Sequence, residues 1–124
     1  FVVSWTSLDA TGVQYDVFAQ RFSADGSKIG GETRVNAFSL DNQVQPAIAT
    51  LESGGWVVSW TAENQDGDGN GVFAQRYNAD GTTSGGETQI NTTTALDQND
   101  PAVTGLDDGG YVITWVSLNQ DGDG

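Results

Sequence analysis

The run WVVSWTA, Trp56–Ala62, is apolar or small on both sides of an extended chain: Trp56, Val58 and Trp60 on one, Val57 and Ser59 on the other. A strand with one wet face alternates apolar and polar residues, so this one is expected to be covered on both faces. Three neighbouring segments also carry strand character: PAIATL (Pro46–Leu51), VFAQRYN (Val72–Asn78) and GGETQIN (Gly85–Asn91). Between them lie ESGG, the polar loop ENQDGDGNG and the turn ADGT, all rich in turn formers. Proline opens the first segment, where its missing donor costs nothing. No ten-residue stretch repeats its apolar positions at helical spacing, so the pattern predicts an all-β chain with essentially no helix.

The same pattern recurs along the chain. A slide of 55 residues aligns Val2 with Val57, Trp5 with Trp60, VFAQR 17–21 with 72–76 and ADG 24–26 with 79–81. It also aligns GGET 30–33 with 85–88, Asn36 with Asn91 and PA 46–47 with 101–102; no gap is needed, and 25 of the 55 positions are identical. The chain therefore divides into an incomplete repeat 1–45 holding strands two to four, a complete repeat 46–100, and an incomplete repeat 101–124 holding strands one and two. Tandem four-stranded antiparallel units that cover one another face to face are what β-propeller blades require. An open β-solenoid and a sandwich array are the alternatives. Nine strands divided in this way do not close a ring. The expected partners are thus neighbouring identical repeats of a longer array, or protomers that complete the open edges, since edges this hydrophobic otherwise pair with whatever is available.

The order PAVTGLDDGGYVITW, a polar loop, then GVFAQRYNADGTTSGGE resembles the tandem repeats of very large secreted, calcium-rich, adhesin-like bacterial proteins. Strand for strand it is also similar to blades of the sialidase class. The turns SADGSKIG (Ser23–Gly30) and NADGTTSG (Asn78–Gly85) resemble the Asp box of that class but lack its closing aromatic. The resemblance implies an extracellular or cell-surface location and a non-catalytic structural or adhesive role. It also leaves two other roles open: a carbohydrate-binding propeller lectin, and an accessory propeller of a secreted glycan-active enzyme.

Composition narrows the chemistry. The chain has no histidine, cysteine or methionine, which excludes disulfides, thiolate or imidazole ligation and any histidine base. Four basic residues against seventeen acidic ones give a net charge of −13, the wrong sign for a nucleic-acid partner. No apolar run approaches the roughly 18 residues of a membrane-spanning helix, so no membrane insertion is expected. Glycoside hydrolysis needs a paired acid and base, and a sialidase needs several arginines around its acidic sugar. Of the three arginines here, Arg21 and Arg76 are one repeat position, which distributes them instead of gathering them. An enzyme is not expected.

One loop carries candidate metal chemistry. In NQDGDGNG, oxygen donors alternate at Asn64, Asp66, Asp68 and Asn70 with glycines between them, and the last copy repeats Asn119, Asp121 and Asp123. Calcium takes six to eight hard oxygens, and alternate positions of a tight glycine-rich loop can turn several inward. The spacing resembles the Asp-rich loops of integrin-type calcium-binding blades. It is not an EF-hand, because Gln75 stands where the closing glutamate would be. In the first copy the phrase decays to DATGVQYD, with Asp9 and Asp16 left. Three further expectations follow. Glu32 and Glu87 pair across strands with Arg21 and Arg76. Trp5, Trp56, Trp60 and Trp115 pack between units instead of stacking on sugars. Asn91, in NTT, fits the glycan-acceptor triplet.

Overall fold

The computed structural model describes residues 1–120. All regular structure in them is strand: β1 (Val2–Leu8), β2 (Tyr15–Phe22), β3 (Lys28–Arg34), β4 (Gln43–Thr50), β5 (Trp56–Glu63), β6 (Asn70–Tyr77), β7 (Thr88–Gln89), β8 (Gln98–Gly105) and β9 (Tyr111–Ser117). Three antiparallel sheets result, each with its strands in chain order: β1–β3, β4–β7 and β8–β9.

The sheets lie on one another. β1 and β2 pack against β4, while β8 packs against β4, β5 and β6. Between the first and middle sheets, Val2, Val17, Ala19 and Val35 meet Ile48, Trp56, Val58, Trp60, Ala62, Phe73 and Tyr77. Between the middle and third sheets, Ala49, Leu51, Val57, Ala74 and Ile90 meet Val103, Tyr111 and Ile113. Every residue of β5 except its last is buried, as two-sided covering demands. Each large apolar side chain removed from water in this way contributes about 1.5–3 kcal/mol. The third sheet approaches to backbone distance at Gly105, where a Cβ would lie 2.1 Å from the Thr50 carbonyl oxygen.

The repeat is visible in the backbone as well. Non-glycine residues with positive φ occur in pairs one repeat apart: Asp41 and Leu96, Gln45 and Asp100, Asn64 and Asn119. Such conformations are uncommon outside glycine, so their recurrence reflects a shared local geometry and not chance.

Two strand expectations need correction. The strand expected over Pro46–Leu51 is β4, which begins at Gln43, and its counterpart β8 begins at Gln98. Pro46 and Pro101 do not open these strands. They follow Gln45 (φ 55°) and Asp100 (φ 53°), where the register shifts between Val44 and Ala47 and between Asn99 and Ala102. A bulge leaves a residue out of the ladder, which is why a proline is tolerated mid-strand. The strand expected over Gly85–Asn91 shrinks to Thr88–Gln89. Gly85, at φ 79°, turns the chain out of the ladder, leaving the bonds Ser84 N to Arg76 O and Ile90 N to Val72 O on either side.

Candidate functional site: the seam between repeats

The loop from Asn64 to Asn70 does not stand free. It folds back through Asn64 N–H donating to Gly69 O at 2.6 Å and then docks on the segment that leads into β8. Asp68 Oδ2 accepts from Leu96 N–H at 3.2 Å, and Asp97 Oδ1 accepts from Asn70 N–H at 3.1 Å. The Asn70 amide donates to Asn99 Oδ1 at 2.8 Å. Asn64 Nδ2 reaches Asp41 Oδ2 at 3.3 Å. The loop is thus a clasp from the middle sheet to the segment that enters the third.

The first repeat closes the same clasp with different residues. Tyr15 N–H donates to Asn42 Oδ1 at 3.1 Å, and Asn42 and Asp97 are equivalent positions. The backbone oxygens of Asn42 and Asp97 also accept from Glu63 N–H and Leu118 N–H, both at 2.9 Å, within their own sheets. One residue therefore ties its own hairpin by its backbone and the preceding sheet by its side chain. Asp9 does neither. Its carboxylate takes Thr11 Oγ1 and the N–H groups of Thr11 and Val13, and the Thr11 hydroxyl bond first among these holds its pKa below the ordinary value.

Beneath each clasp lies a buried asparagine. Asn36 Oδ1 accepts from Val17 N–H and Asn91 Oδ1 from Val72 N–H, at 2.9 and 2.8 Å. Each Nδ2 donates to a carboxylate, Asp16 Oδ1 at 2.7 Å for Asn36 and Asp66 Oδ2 at 2.8 Å for Asn91. Asn91 Nδ2 also reaches Thr93 O and Gln98 Oε1, both at 2.9 Å. With Asn91 only 4% exposed, its amide nitrogen in the folded chain is committed to the protein and gives a glycan no point of attachment.

The candidate calcium ligands are accordingly distributed over separate tasks. Asp66 faces inward to Asn91, Asp68 accepts from the segment that leads into β8, Asn70 bonds to Asn99, and Asn64 is exposed. Among the described residues no three carboxylates gather where one cation would touch them all. Asn119 repeats the positive φ of Asn64; Asp121 and Asp123 lie outside the described residues.

A second set of links runs along the other end of the strands. Arg21 donates from Nη1 and Nη2 to the carbonyls of Asp80 and Ala79 in the next repeat, and its guanidinium lies 5.5 Å from the Trp56 ring. Trp56 in turn stacks on Tyr77 at 5.2 Å. Arg76 makes the matching reach to Gly109 O at 3.3 Å. Arginine thus bonds to turn carbonyls, and the expected pairs with Glu32 and Glu87 do not form: the ion pair found among the described residues is Arg34 with Asp16, at 3.6 Å. Glu87 instead accepts from Ala37 N–H at 2.7 Å and from Gln65. Burial, with a smaller push from the Glu87 charge, raises the Tyr77 hydroxyl to about 12. A cleft of about 160 Å³ remains beside Trp56, Tyr77 and Arg21. The indole and phenol rings are spent on each other and on Arg21, so neither presents a bare face to a sugar.

The individual turn and patterning signals for these links were present in the sequence, but their long-range pairing was not. Asn42 and Asp97 link successive sheets, and Asn36 and Asn91 lie beneath those links. Their only sequence mark is the conserved spacing of Asn36 and Asn91 across the repeat. The chain matches no protein-family model, and no curated protein matches it.

Proposed function

We propose that the chain is a stretch of a non-catalytic structural or adhesive repeat array, its sheets serving as propeller-type blades that neighbouring identical repeats complete. The observation that supports this reading most directly is a comparison of equivalent positions. Val58, with a neighbouring repeat on its face, is 0% exposed, whereas Val3, the same position without one, is 44% exposed. Val57 and Val112 repeat the contrast at the opposite face, 0% against 44%. Faces composed for burial are left bare where no further repeat covers them.

An extracellular or cell-surface setting is the part of the proposal that rests on the sequence resemblance. A chain without cysteine or methionine has no sulfur side chain to oxidise there. The non-catalytic role rests on the carboxylates at the seam, which are engaged by N–H donors instead of being paired across an open cavity. The loop oxygens that the sequence nominated for calcium also hold the segment that leads into β8, and calcium stabilisation of that loop is the separate part of the proposal that chelation tests. A test is to image a recombinant chain of many in-frame copies by electron microscopy and to assay it on a glycoside panel. An ordered body growing by a fixed step per copy is expected, with no hydrolysis. A string of independently tumbling beads, or turnover of any glycoside, would overturn the proposal.

A further inference from the structure

We propose that the cleft between the first and middle sheets binds a small organic carboxylate, an anion on a compact apolar body the size of one aromatic ring. Both walls lie within the chain, β2 and β3 on one side and β5, β6 and the turn after β6 on the other. The proposal therefore goes beyond the array reading and does not depend on it. The cleft holds about 160 Å³. A cavity of about 150 Å³ accepts a benzene molecule, which sets the scale of the occupant.

Gly31 is a glycine that the fold does not require. In the β2–β3 register Arg21 faces Ile29 and Ala19 faces Thr33, so Gly30, Gly31 and Glu32 stand against the single residue Gln20 and β3 bows. Gln20 Nε2 holds the bow by donating to Ile29 O at 3.2 Å, and Gly30, at φ 71°, turns it. The next repeat keeps both devices, with Gln75 Nε2 donating to Gly85 O at 3.1 Å and Gly85 at φ 79°. Gly31 has no positive φ, and a Cβ there would meet nothing within 4 Å; the same holds for its equivalent, Gly86. Neither backbone conformation nor crowding explains Gly31, which weakens the strand that contains it. A bare backbone in open space suits a ligand that comes close to it, and Gly31 lines the cleft.

Hydrogen-bonding capacity is also left over around the cleft, and it is all of one kind. Arg21 gives Nη1 to Asp80 O and Nη2 to Ala79 O, two of the five N–H groups of a guanidinium, which leaves three. Among the described residues no carboxylate lies within ion-pair distance of Arg21, although the chain carries seventeen acidic residues. The Asp80 carboxylate, at the rim, is taken by the Thr82 hydroxyl and N–H at 2.6 and 2.9 Å. Trp56, another lining residue, is only 5% exposed, and its indole N–H has no acceptor among the described residues. The unmatched groups are donors, and the unmatched charge is positive. A carboxylate answers both, because its two oxygens fit the planar fork of a guanidinium. Ala19, Ile29 and Tyr77 supply apolar contact for the rest of the ligand. Such a ligand touches both sheets and adds its binding free energy to their contact.

Titration of the isotope-labelled chain with sodium benzoate at constant ionic strength, followed by NMR, tests this. Saturable shifts are expected at the Gly30, Gly31 and Gly81 amides and at the Trp56 indole N–H. Benzamide, which keeps the ring and lacks the charge, should bind about tenfold more weakly. Arg21→Gln should weaken benzoate binding by about the same factor, with the spectrum checking that the variant folds. Because Arg21 also ties the two sheets together, Gly31→Ile is the second variant. It removes no contact, adds strand propensity and fills the open space. Its melting midpoint without benzoate should be no lower than that of the wild type, and its benzoate binding should be lost. Absence of saturable shifts in the wild type overturns the proposal, as does undiminished binding by Gly31→Ile. Equal affinity for benzoate and benzamide overturns it as well, because the carboxylate would then not be what is recognised.

Discussion

Gly71 and the Asp66 carboxylate share one small space: a Cβ on Gly71 would lie 2.6 Å from Asp66 Oδ2. In the first repeat the position of Gly71 is Asp16, whose own carboxylate accepts from the buried Asn36. The two repeats thus supply the same oxygen to the same asparagine from different places in the chain. Gly71→Asp alone should cost about 1–3 kcal/mol, because it puts two carboxylates where one fits. Adding Asp66→Gly should recover most of that loss, and urea unfolding of the two single variants and the double variant measures the coupling. Additive losses would show that the space is not shared.

The same valine should carry different weight in different repeats. Val58→Ala removes two methyl groups from a site with no solvent exposure and should cost about 2–3 kcal/mol. Val3→Ala, at the equivalent but 44% exposed position, should cost less than about 1 kcal/mol. Equal losses in denaturant titrations would mean that both faces are covered alike.

How much of this was legible beforehand divides by the range of the interaction. The two-sided burial of β5 was legible because Trp56, Val57, Val58 and Trp60 leave neither face polar. The repeat and the hairpin turns were legible because they are local or periodic. The bulges at Gln45 and Asp100 were not, since proline marks a strand boundary as readily as a bulge. Nor was the clasp. Asp68 and Asn70 carry a metal-loop spacing, but their partners Leu96, Asp97 and Asn99 lie nearly thirty residues on, at the entry to β8, and local spacing does not report what a folded chain brings to it. Arg21 went to the carbonyls of Ala79 and Asp80 for the same reason.

Acid should weaken the turns before it reaches the core. The Ser23 hydroxyl, with Ser27 N–H, lowers Asp25 to about 2, and Thr82 lowers Asp80. Folded pKa values below the unfolded ones stabilise the protein above the ordinary carboxylate range, and that contribution fades as pH falls from about 4 toward 2. Melting midpoints taken across this window should fall, and Asp25→Asn should make the fall shallower. An unchanged slope in that variant would rule out a contribution from the Asp25 turn.

The clasp is built from N–H donors and carboxylate or amide acceptors, so it closes without an ion, and calcium would act in addition to it. With no calcium added, chelation with EDTA should leave the melting midpoint within about 1 °C, because ligand-linked stabilisation requires a bound ligand. A midpoint that rises by several degrees in millimolar calcium would return Asn64, Asp66, Asp68 and Asn70 to the role of ligands.

Mutual covering of successive sheets is tested most directly by thermal unfolding of chains that differ only in the number of in-frame 55-residue copies. Stability in a stacked array is a sum of unit and neighbour contributions, so each added copy that covers a bare face should raise the midpoint, most for the first additions. A midpoint independent of copy number would contradict the stacking, because it would mean that every repeat stands alone.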